Sequence, residues 1–391
     1  SAYVIRQHPR NASLLFVGTE FGAFVSIDGG AAWTPLKNNL PTVAVHDLIL
    51  GTHGRGVWIL DDITPLEKLT PAALASDWQL FPIKPALMFN LADPYGGGSR
   101  GVGDQADRMY AAPNPPFGAA ISYYVKQDIP RDRTAGLTIV DSTGAVVREL
   151  EASKKAGIHR VVWDLRLPPP YTVPRPQGAA GGDEGGGGFF GGTPRGPFVL
   201  PGQYKARLRV GDAAPQEMSI TVKADPLIQL SEADYKTLYS ARVSASRLQT
   251  RVQAAVRSAD QLKTQIEEAK GAIQAASAPA SLTAEANAIE KEIDAIIAKV
   301  RGSGGRGGGG GGDDEGPRQP SIQQRANGIA NEIGGVTSLP TISQHDTLAM
   351  TATELDGELE RLNRLITTRV PAFNASLDEA KVPWSIGRPI K

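Results

Sequence analysis

The clearest hydrophobic pattern lies in the C-terminal part of the chain, where apolar residues repeat every seven positions. One series runs from Leu238 to Ile273, and a second, offset by three positions, runs from Ala241 to Ala269. Two interleaved series at this spacing are typical of one face of a long helix that packs against other helices. Ser231, followed by acidic residues, matches the start of such a helix.

Three further helices follow from apolar residues spaced three and four apart. Residues 282–300 and 355–377 carry strong patterns, and 322–336 carries a weaker one that three glycines interrupt. Pro371 is expected to bend the last of these helices. The pattern favours an antiparallel helical bundle over residues 231–382, with a coiled-coil dimer as the alternative. The short connection after the first helix favours pairing within one chain.

The N-terminal half instead shows short apolar runs separated by turn residues, which predict β-strands. Residues 1–68 contain two groups of such runs: 3–7, 14–18, 21–26 and 33–36, then 43–46, 48–51 and 57–60. Residues 112–226 contain six more, at 121–125, 137–141, 145–150, 157–166, 201–210 and 217–224, at a spacing typical of an immunoglobulin-like sandwich. Residues 69–111 are interpreted as a connector without assigned function. The predicted fold is therefore multidomain, mainly β and then α.

Two glycine-rich stretches interrupt these domains, at residues 178–192 and 302–316. Their composition predicts flexible loops, because it buries too little apolar surface to offset the entropy of ordering. In the first stretch, Asp183 and Glu184 could bind calcium, or Phe189 and Phe190 could anchor a partner. The second lacks the lysine and hydroxyl residue of a phosphate-binding loop.

Composition narrows the possible classes of function. Basic and acidic residues number 41 each, so no net charge draws the chain towards nucleic acid or an anionic membrane. Cysteine is absent, which excludes disulfides, thiolate metal sites and a cysteine nucleophile. No apolar run approaches the roughly 20 residues that span a bilayer. Because the chain opens directly on a strand-like run, we expect it to be the C-terminal portion of a longer protein.

The most informative short motif is the octet at residues 26–33, which reads Ser-Ile-Asp-Gly-Gly-Ala-Ala-Trp. Asp28 can accept hydrogen bonds from amides of a turn, and Gly29 and Gly30 permit positive φ. Ser26 ends an apolar run, and Trp33 is expected to return on the next strand as an apolar plug between sheets. We refer to Ser26, Asp28, Gly29, Gly30 and Trp33 as the Asp corner.

The Asp corner resembles the Asp-box, S-x-D-x-G-x-x-W, of sortilin-like (VPS10, BNR-repeat) β-propellers, a group often labelled glycosyl hydrolases. Residues 50–62 are similar to the last blade of such proteins in bacteria, although His46-Asp47-Leu48 runs into the following strand without the usual longer stretch. A propeller needs at least four blades of about 40 to 45 residues. The resemblance therefore implies that residues 1–68 form only the last blade or blades of a propeller whose other blades lie upstream or on another chain.

A second resemblance concerns residues 112–226. Asn114-Pro115, the Asp141-Ser-Thr-Gly turn, Trp163-Asp164 and the Pro201-Gly-Gln-Tyr strand start resemble the FlgD-type Ig-like domain. That module commonly follows catalytic or propeller domains of exported bacterial proteins. It implies an exported location, at the periplasm, the cell surface or outside the cell. The role that it implies is spacing or docking.

These resemblances imply that the chain binds a protein, a peptide or a glycan and has no catalytic role itself. Two alternatives remain: a glycoside hydrolase whose catalytic carboxylates lie in upstream blades, and a structural subunit of a cell-surface assembly, in which case the chain would be an oligomer. We predict no catalytic, cofactor-binding or metal-binding residue in this chain.

Two clusters of polar residues are candidate sites. A zinc site built from His8, His46 and His53 is conceivable, with packing as the simpler role. Asp61, Asp62, His53 and Arg55 could form an acid–base cluster. The simpler alternative is that an aspartate caps backbone amides and Arg55 pairs with a neighbouring carboxylate.

Overall fold

The computed structural model describes residues 1–37, 45, 48, 63–90, 116–172, 194–302 and 319–388. The described elements form two units, one with the strands and two short helices and one with the long helices. The order predicted from the sequence, β first and then α, is confirmed. The propeller and Ig-like identities and the boundaries at 68, 111 and 226 stay predictions.

The N-terminal sheet is a four-stranded antiparallel meander whose strand order equals the chain order. Its strands are β1 (Ala2–His8), β2 (Asn11–Thr19), β3 (Gly22–Ser26) and β4 (Thr34–Pro35). Each coincides with a run predicted from the sequence. The strands predicted at 43–46, 48–51 and 57–60 lie outside the described residues, apart from Val45 and Leu48.

Two more sheets belong to the first unit. Their strands are β5 (Trp78–Leu80), β6 (Ala86–Met88), β7 (Ala119–Val125), β8 (Ala135–Val140), β9 (Val146–Glu151), β10 (Gly157–Trp163), β11 (Gly202–Val210) and β12 (Gln216–Ala224). One sheet has the order β10-β7-β5 and the other β6-β12-β11-β8-β9. Large apolar side chains from both sheets are fully buried, among them Tyr123, Trp163, Ile139 and Leu208. The six predicted strands at 121–224 are thus present.

The predicted connector contributes structure that the sequence did not reveal. It holds one short helix, α2 (Pro71–Ala75), together with β5 and β6, and a further short helix, α1 (Thr64–Lys68), ends just before it. β5 pairs antiparallel with β7, and β6 pairs parallel with β12. Strands of three residues are too short to show an alternating pattern, so only their pairing partners define them.

The second unit is built from helices at the predicted places, but the fourth helical segment begins at Ile342, well before the pattern predicted at 355–377. They are α3 (Glu232–Ala275), α4 (Ala280–Val300), α5 (Ile322–Gly335), α6 (Ile342–Arg364) and α7 (Val370–Glu379). Both seven-residue series of α3 are buried throughout. Ser231, Ser321 and Thr341 each form a reciprocal capping box at a helix start, which satisfies two amides that lack a partner within the helix.

A π-helical turn, Leu365–Arg369, joins α6 to α7 just before Pro371. Proline has no amide hydrogen, and its ring displaces the carbonyl four residues earlier. A wider turn accommodates this displacement without ending the helix. The disturbance expected at Pro371 therefore takes the form of a π turn within an otherwise continuous helical segment.

Helix α5, the one with the weakest sequence pattern, is held at its end by a side chain from α3. The Arg242 guanidinium donates from Nε to the Ile333 carbonyl at 3.2 Å and from Nη2 to the Val336 carbonyl at 2.6 Å. A cation at a helix C-terminus satisfies free carbonyls and complements the helix dipole. This contact offsets part of the cost of Gly328, Gly334 and Gly335.

Candidate functional site

The Asp corner lies between β3 and β4 and is closed by a compact set of hydrogen bonds. The Ser26 hydroxyl, 1% exposed, donates to Asp28 Oδ1 at 2.7 Å and accepts from the Gly30 amide at 2.8 Å. The same Asp28 oxygen accepts from the Ala32 amide at 3.0 Å. Two side chains therefore satisfy two amides that the tight turn leaves without a strand partner.

Gly29 and Gly30 allow the backbone conformation of this turn. Gly29 and Gly30 have φ of 75° and 100°, values that other residues rarely adopt. Their conformation brings the Gly29 amide to the Ser13 carbonyl at 2.9 Å, so the turn is fastened to the start of β2. The expectation that these positions need positive φ is confirmed.

Hydrogen bonds within the turn stabilise the charged form of Asp28. The Ala32 amide and then the Ser26 hydroxyl donate hydrogen bonds to the carboxylate, which holds the pKa of Asp28 below its ordinary value. A carboxylate that stays ionised in this way serves as a steady acceptor. It is poorly suited to act as a general acid, which needs a raised pKa.

Trp33 lies beside the turn. A Cβ atom placed on Gly30 would stand 3.8 Å from Trp33 Cζ2 and 3.6 Å from Leu15 Cδ1, so the indole lies against the turn near Leu15. The Trp33 residue is 38% exposed. The expected role of Trp33 as an apolar plug between two sheets stays a prediction.

The Asp corner has one carboxylate, and this limits its chemistry. Glycoside hydrolysis requires two carboxyl groups about 5 to 9.5 Å apart. Asp28 is the only acidic residue between positions 26 and 33, and its Oδ1 is occupied by the turn. The arrangement acts as a structural fastening for the β3–β4 connection.

A second polar cluster joins the β1–β2 turn to α1. His8 Nε2 lies 3.0 Å from Glu67 Oε1, and Arg10 Nη2 reaches the same oxygen at 2.7 Å. The Arg10 amide donates to His8 Nδ1 at 3.3 Å, which leaves the ring hydrogen on Nε2 to be donated to Glu67. Both ring nitrogens of His8 are thus engaged within the protein.

Glu67 is the residue of this cluster that the sequence did not single out. Burial tends to raise the pKa of Glu67, but the hydrogen bond and charge of Arg10 outweigh it and leave the pKa below its ordinary value. The Asn11 side chain also donates to the Glu67 carbonyl at 3.0 Å. Glu67 is more than fifty residues from its partners along the sequence, so no local sequence pattern predicts this contact.

The other candidate site residues predicted from the sequence lie outside the described ranges. These are His46, His53, Arg55, Asp61 and Asp62, and the glycine-loop residues Asp183, Glu184, Phe189 and Phe190. Within the described ranges, no group of three or more histidine, aspartate or glutamate residues could hold a metal ion. In the same ranges, no helix has the length and apolar character needed to cross a bilayer.

Comparison with known proteins returned no match. Neither a protein-family model, nor a curated protein, nor a solved structure matches this chain.

Proposed function

We propose that this chain is the non-catalytic C-terminal part of an exported protein of the sortilin-like, Asp-box propeller type. In this proposal the chain contributes to binding a protein, a peptide or a glycan. The N-terminal sheet is a terminal blade, the next two sheets form an Ig-like docking module, and the helices form a supporting bundle. Further blades would come from the same longer polypeptide or from another chain.

The observation that carries this proposal is the Asp corner in its structural setting. The S-x-D-x-G-x-x-W pattern forms a hydrogen-bonded turn between the last two strands of a four-stranded antiparallel sheet. Four-stranded sheets of this kind are the repeating unit of β-propellers. The Asp corner thus has an Asp-box-like sequence and lies in a four-stranded antiparallel sheet, as an Asp-box in a propeller blade would.

The described carboxyl groups whose pKa departs clearly from its ordinary value lack the property that a glycosidase acid needs. A glycosidase needs one carboxyl group whose pKa is raised so that it can act as an acid. Hydrogen bonds or ion pairs instead lower the pKa of each described carboxyl group that departs clearly from its ordinary value, namely Asp28, Glu67, Asp128, Asp141, Glu217, Glu232 and Glu354. These groups are arranged to stay charged and paired.

The first test is to determine the sequence that the gene encodes before Ser1. If the proposal is right, the sequence encoded before Ser1 contains further S-x-D-x-G-x-x-W octets, spaced by about 40 to 45 residues or by multiples of that length. An upstream sequence without such octets would overturn the propeller assignment.

The second test concerns activity. The complete gene product is applied to glycan and peptide arrays, and the same glycans are incubated with it and assayed for new reducing ends. Saturable retention of one class of probe without new reducing ends is the expected result. Release of reducing ends would establish the glycosidase alternative, and failure to retain any probe would overturn the binding role.

A further inference from the structure

Helix α5 packs on α3, and the apolar residues that it contacts there repeat along α3. Ile329 and Ile333 of α5 pack against Leu238 and Ala241. Seven residues further along α3, the same two places hold another small and another large apolar residue, Ala245 and Leu248. Apolar packing alone therefore offers α5 a second position on α3, displaced by one repeat, which is about 10 Å along the helix axis.

Two polar residues of α3, also seven residues apart, contact α5 in the observed position. Gln249, which is 6% exposed, donates from Nε2 to Asn327 Oδ1 at 3.0 Å. Arg242 donates to the carbonyls of Ile333 and Val336 at the end of α5. Because the earlier residue of α3 meets the later part of α5, the two helices run antiparallel. Residues seven apart lie on the same side of a helix, so both contacts belong to one stripe of α3.

A displaced α5 would lose these polar contacts. The residues that continue the stripe on either side are Tyr235 and Val256. If α5 moved towards the end of α3, Asn327 would meet Val256 and the α5 carbonyls would leave Arg242. If α5 moved towards the start of α3, Asn327 would meet Arg242 and the carbonyls would meet Tyr235. Burial lowers the pKa of Arg242 from its ordinary value, so a guanidinium without its carbonyl acceptors would be costly there.

We propose that Arg242, Gln249 and Asn327 select the position of α5 on α3. The apolar residues supply the attraction between the two helices, and the three polar residues decide which of the repeated places α5 occupies. Buried polar groups fix the register of some coiled coils in this way, at a cost in stability. This assignment concerns the helical unit alone and does not depend on what the complete protein binds.

Helix α5 needs such selection more than its neighbour α4 does. Four residues of α5 are buried, compared with seven of α4. Fewer apolar contacts give a smaller difference in free energy between neighbouring positions. The bidentate pair between Arg325 and Glu354 ties α5 to α6. The position along α3 is therefore left to the polar stripe.

The test measures the position of α5 in the 391-residue chain by double electron–electron resonance. The chain contains no cysteine, so spin labels attach only to introduced ones, Gln261→Cys on α3 and Asn331→Cys on α5, both at exposed positions. Since Asn327 meets Gln249, Asn331 lies level with about Ala245, roughly 24 Å along the axis from Gln261. A displacement by one repeat changes the distance between the labels by up to about 10 Å. The labelled chain should give one distance.

The decisive variant combines Arg242→Met, Gln249→Leu and Asn327→Leu, which remove the selecting groups and keep similar side-chain volumes. It should stay helical and unfold at the same temperature or a higher one, because both partners of each contact become apolar or lose their need for one. A second distance should appear and hold at least about a tenth of the population.

The matched control makes the same three replacements at exposed positions, Arg247→Met, Gln274→Leu and Asn287→Leu, and should keep one distance. A single unchanged distance in the decisive variant would overturn the proposal, and so would a second distance of equal size in the control. Loss of helicity of the decisive variant, followed by circular dichroism, would also overturn it, because the three residues would then be needed for folding and not for selection. None of these outcomes bears on the upstream Asp-boxes or on ligand retention, so the proposed function is tested separately.

Discussion

The helical unit and the N-terminal sheet bury their apolar residues in contrasting ways. In the helical unit, both seven-residue series of α3 are buried: from Leu248 onward they join a core with α4, α5, α6 and α7, whereas Leu238 and Ala241 join a smaller cluster with α5. In the sheet, Leu14 and Val25 are buried, but Ile5, Phe21 and Trp33 are at least one-third exposed. The two series of α3 are thus covered by other helices, whereas the sheet presents apolar side chains that its own strands do not cover.

This difference shows where each element obtains its stability. Helices with one apolar stripe can bury that stripe by packing together, as the two series of α3 do. A sheet has two faces and needs a covering layer on each of them to bury both. The sheet is therefore held in part by local contacts, those of the Asp corner and of the His8–Glu67 cluster.

The largest effect is expected in the helical core. Phe373 is fully buried on α7, and Phe373→Ala removes a ring that the surrounding helices cannot fully replace. We expect the free energy of unfolding of the helical unit to fall by about 3 to 5 kcal/mol, as measured by urea denaturation followed at 222 nm. Ile366→Ala, at a residue 41% exposed on the neighbouring π turn, is the control and should cost far less. Equal effects would contradict the role of Phe373 in the larger helical core.

The next effect tests the fastening between the sheet and α1. Glu67→Ala removes the acceptor of the His8 Nε2 hydrogen, and the His8 side chain is only 5% exposed. Leaving that buried donor without a partner should cost about 1 to 3 kcal/mol. Arg10→Ala is the matched control, because the Arg10 side chain is 75% exposed and its ion pair should contribute less than about 1 kcal/mol. Thermal unfolding of both variants distinguishes them, and a larger loss for Arg10→Ala would refute the role given to His8.

A smaller and more local effect is expected at the Asp corner. Ser26→Ala removes the acceptor of the Gly30 amide and one donor to Asp28, which should cost about 1 to 2 kcal/mol. Amide hydrogen exchange should show lost protection at Gly30, while α3 remains protected. Ser13→Ala is the control, since Ser13 contributes its backbone carbonyl to the turn and keeps it. Unchanged protection at Gly30 would mean that the hydroxyl does not hold the turn.

The smallest effect is a pH dependence confined to the same turn. The folded pKa of Asp28 is lowered, so its hydrogen bonds contribute fully above the unfolded value, near pH 4, and are lost as the pH falls through the folded pKa. The amide resonance of Ala32 should therefore titrate in NMR spectra below about pH 4. Asp28→Asn should abolish this titration. A midpoint above the ordinary aspartate value would contradict the stabilised carboxylate.

The long helix α3, its two apolar series and the N-cap Ser231 could be read from the sequence, because each depends on residues within a few turns of one another. The Asp corner could be predicted for the same reason: Ser26, Asp28 and the glycines are neighbours in the chain, and the side-chain hydrogen bonds that close the turn join residues 26 to 32. The pairing of β6 with β12 and the contact of Glu67 with His8 could not. They join residues far apart in sequence, and three-residue strands or a single carboxylate carry no periodic signal.

By itself, the sequence determined the order of β and α regions, the faces of the helices and the chemistry of one turn, since local spacing governs all three. Only the tertiary structure decided which histidine meets a carboxylate, which strands the connector supplies, and which side of the N-terminal sheet Val45 and Leu48 approach. These depend on register and long-range packing, where side chains far apart along the polypeptide come within a few ångströms of one another.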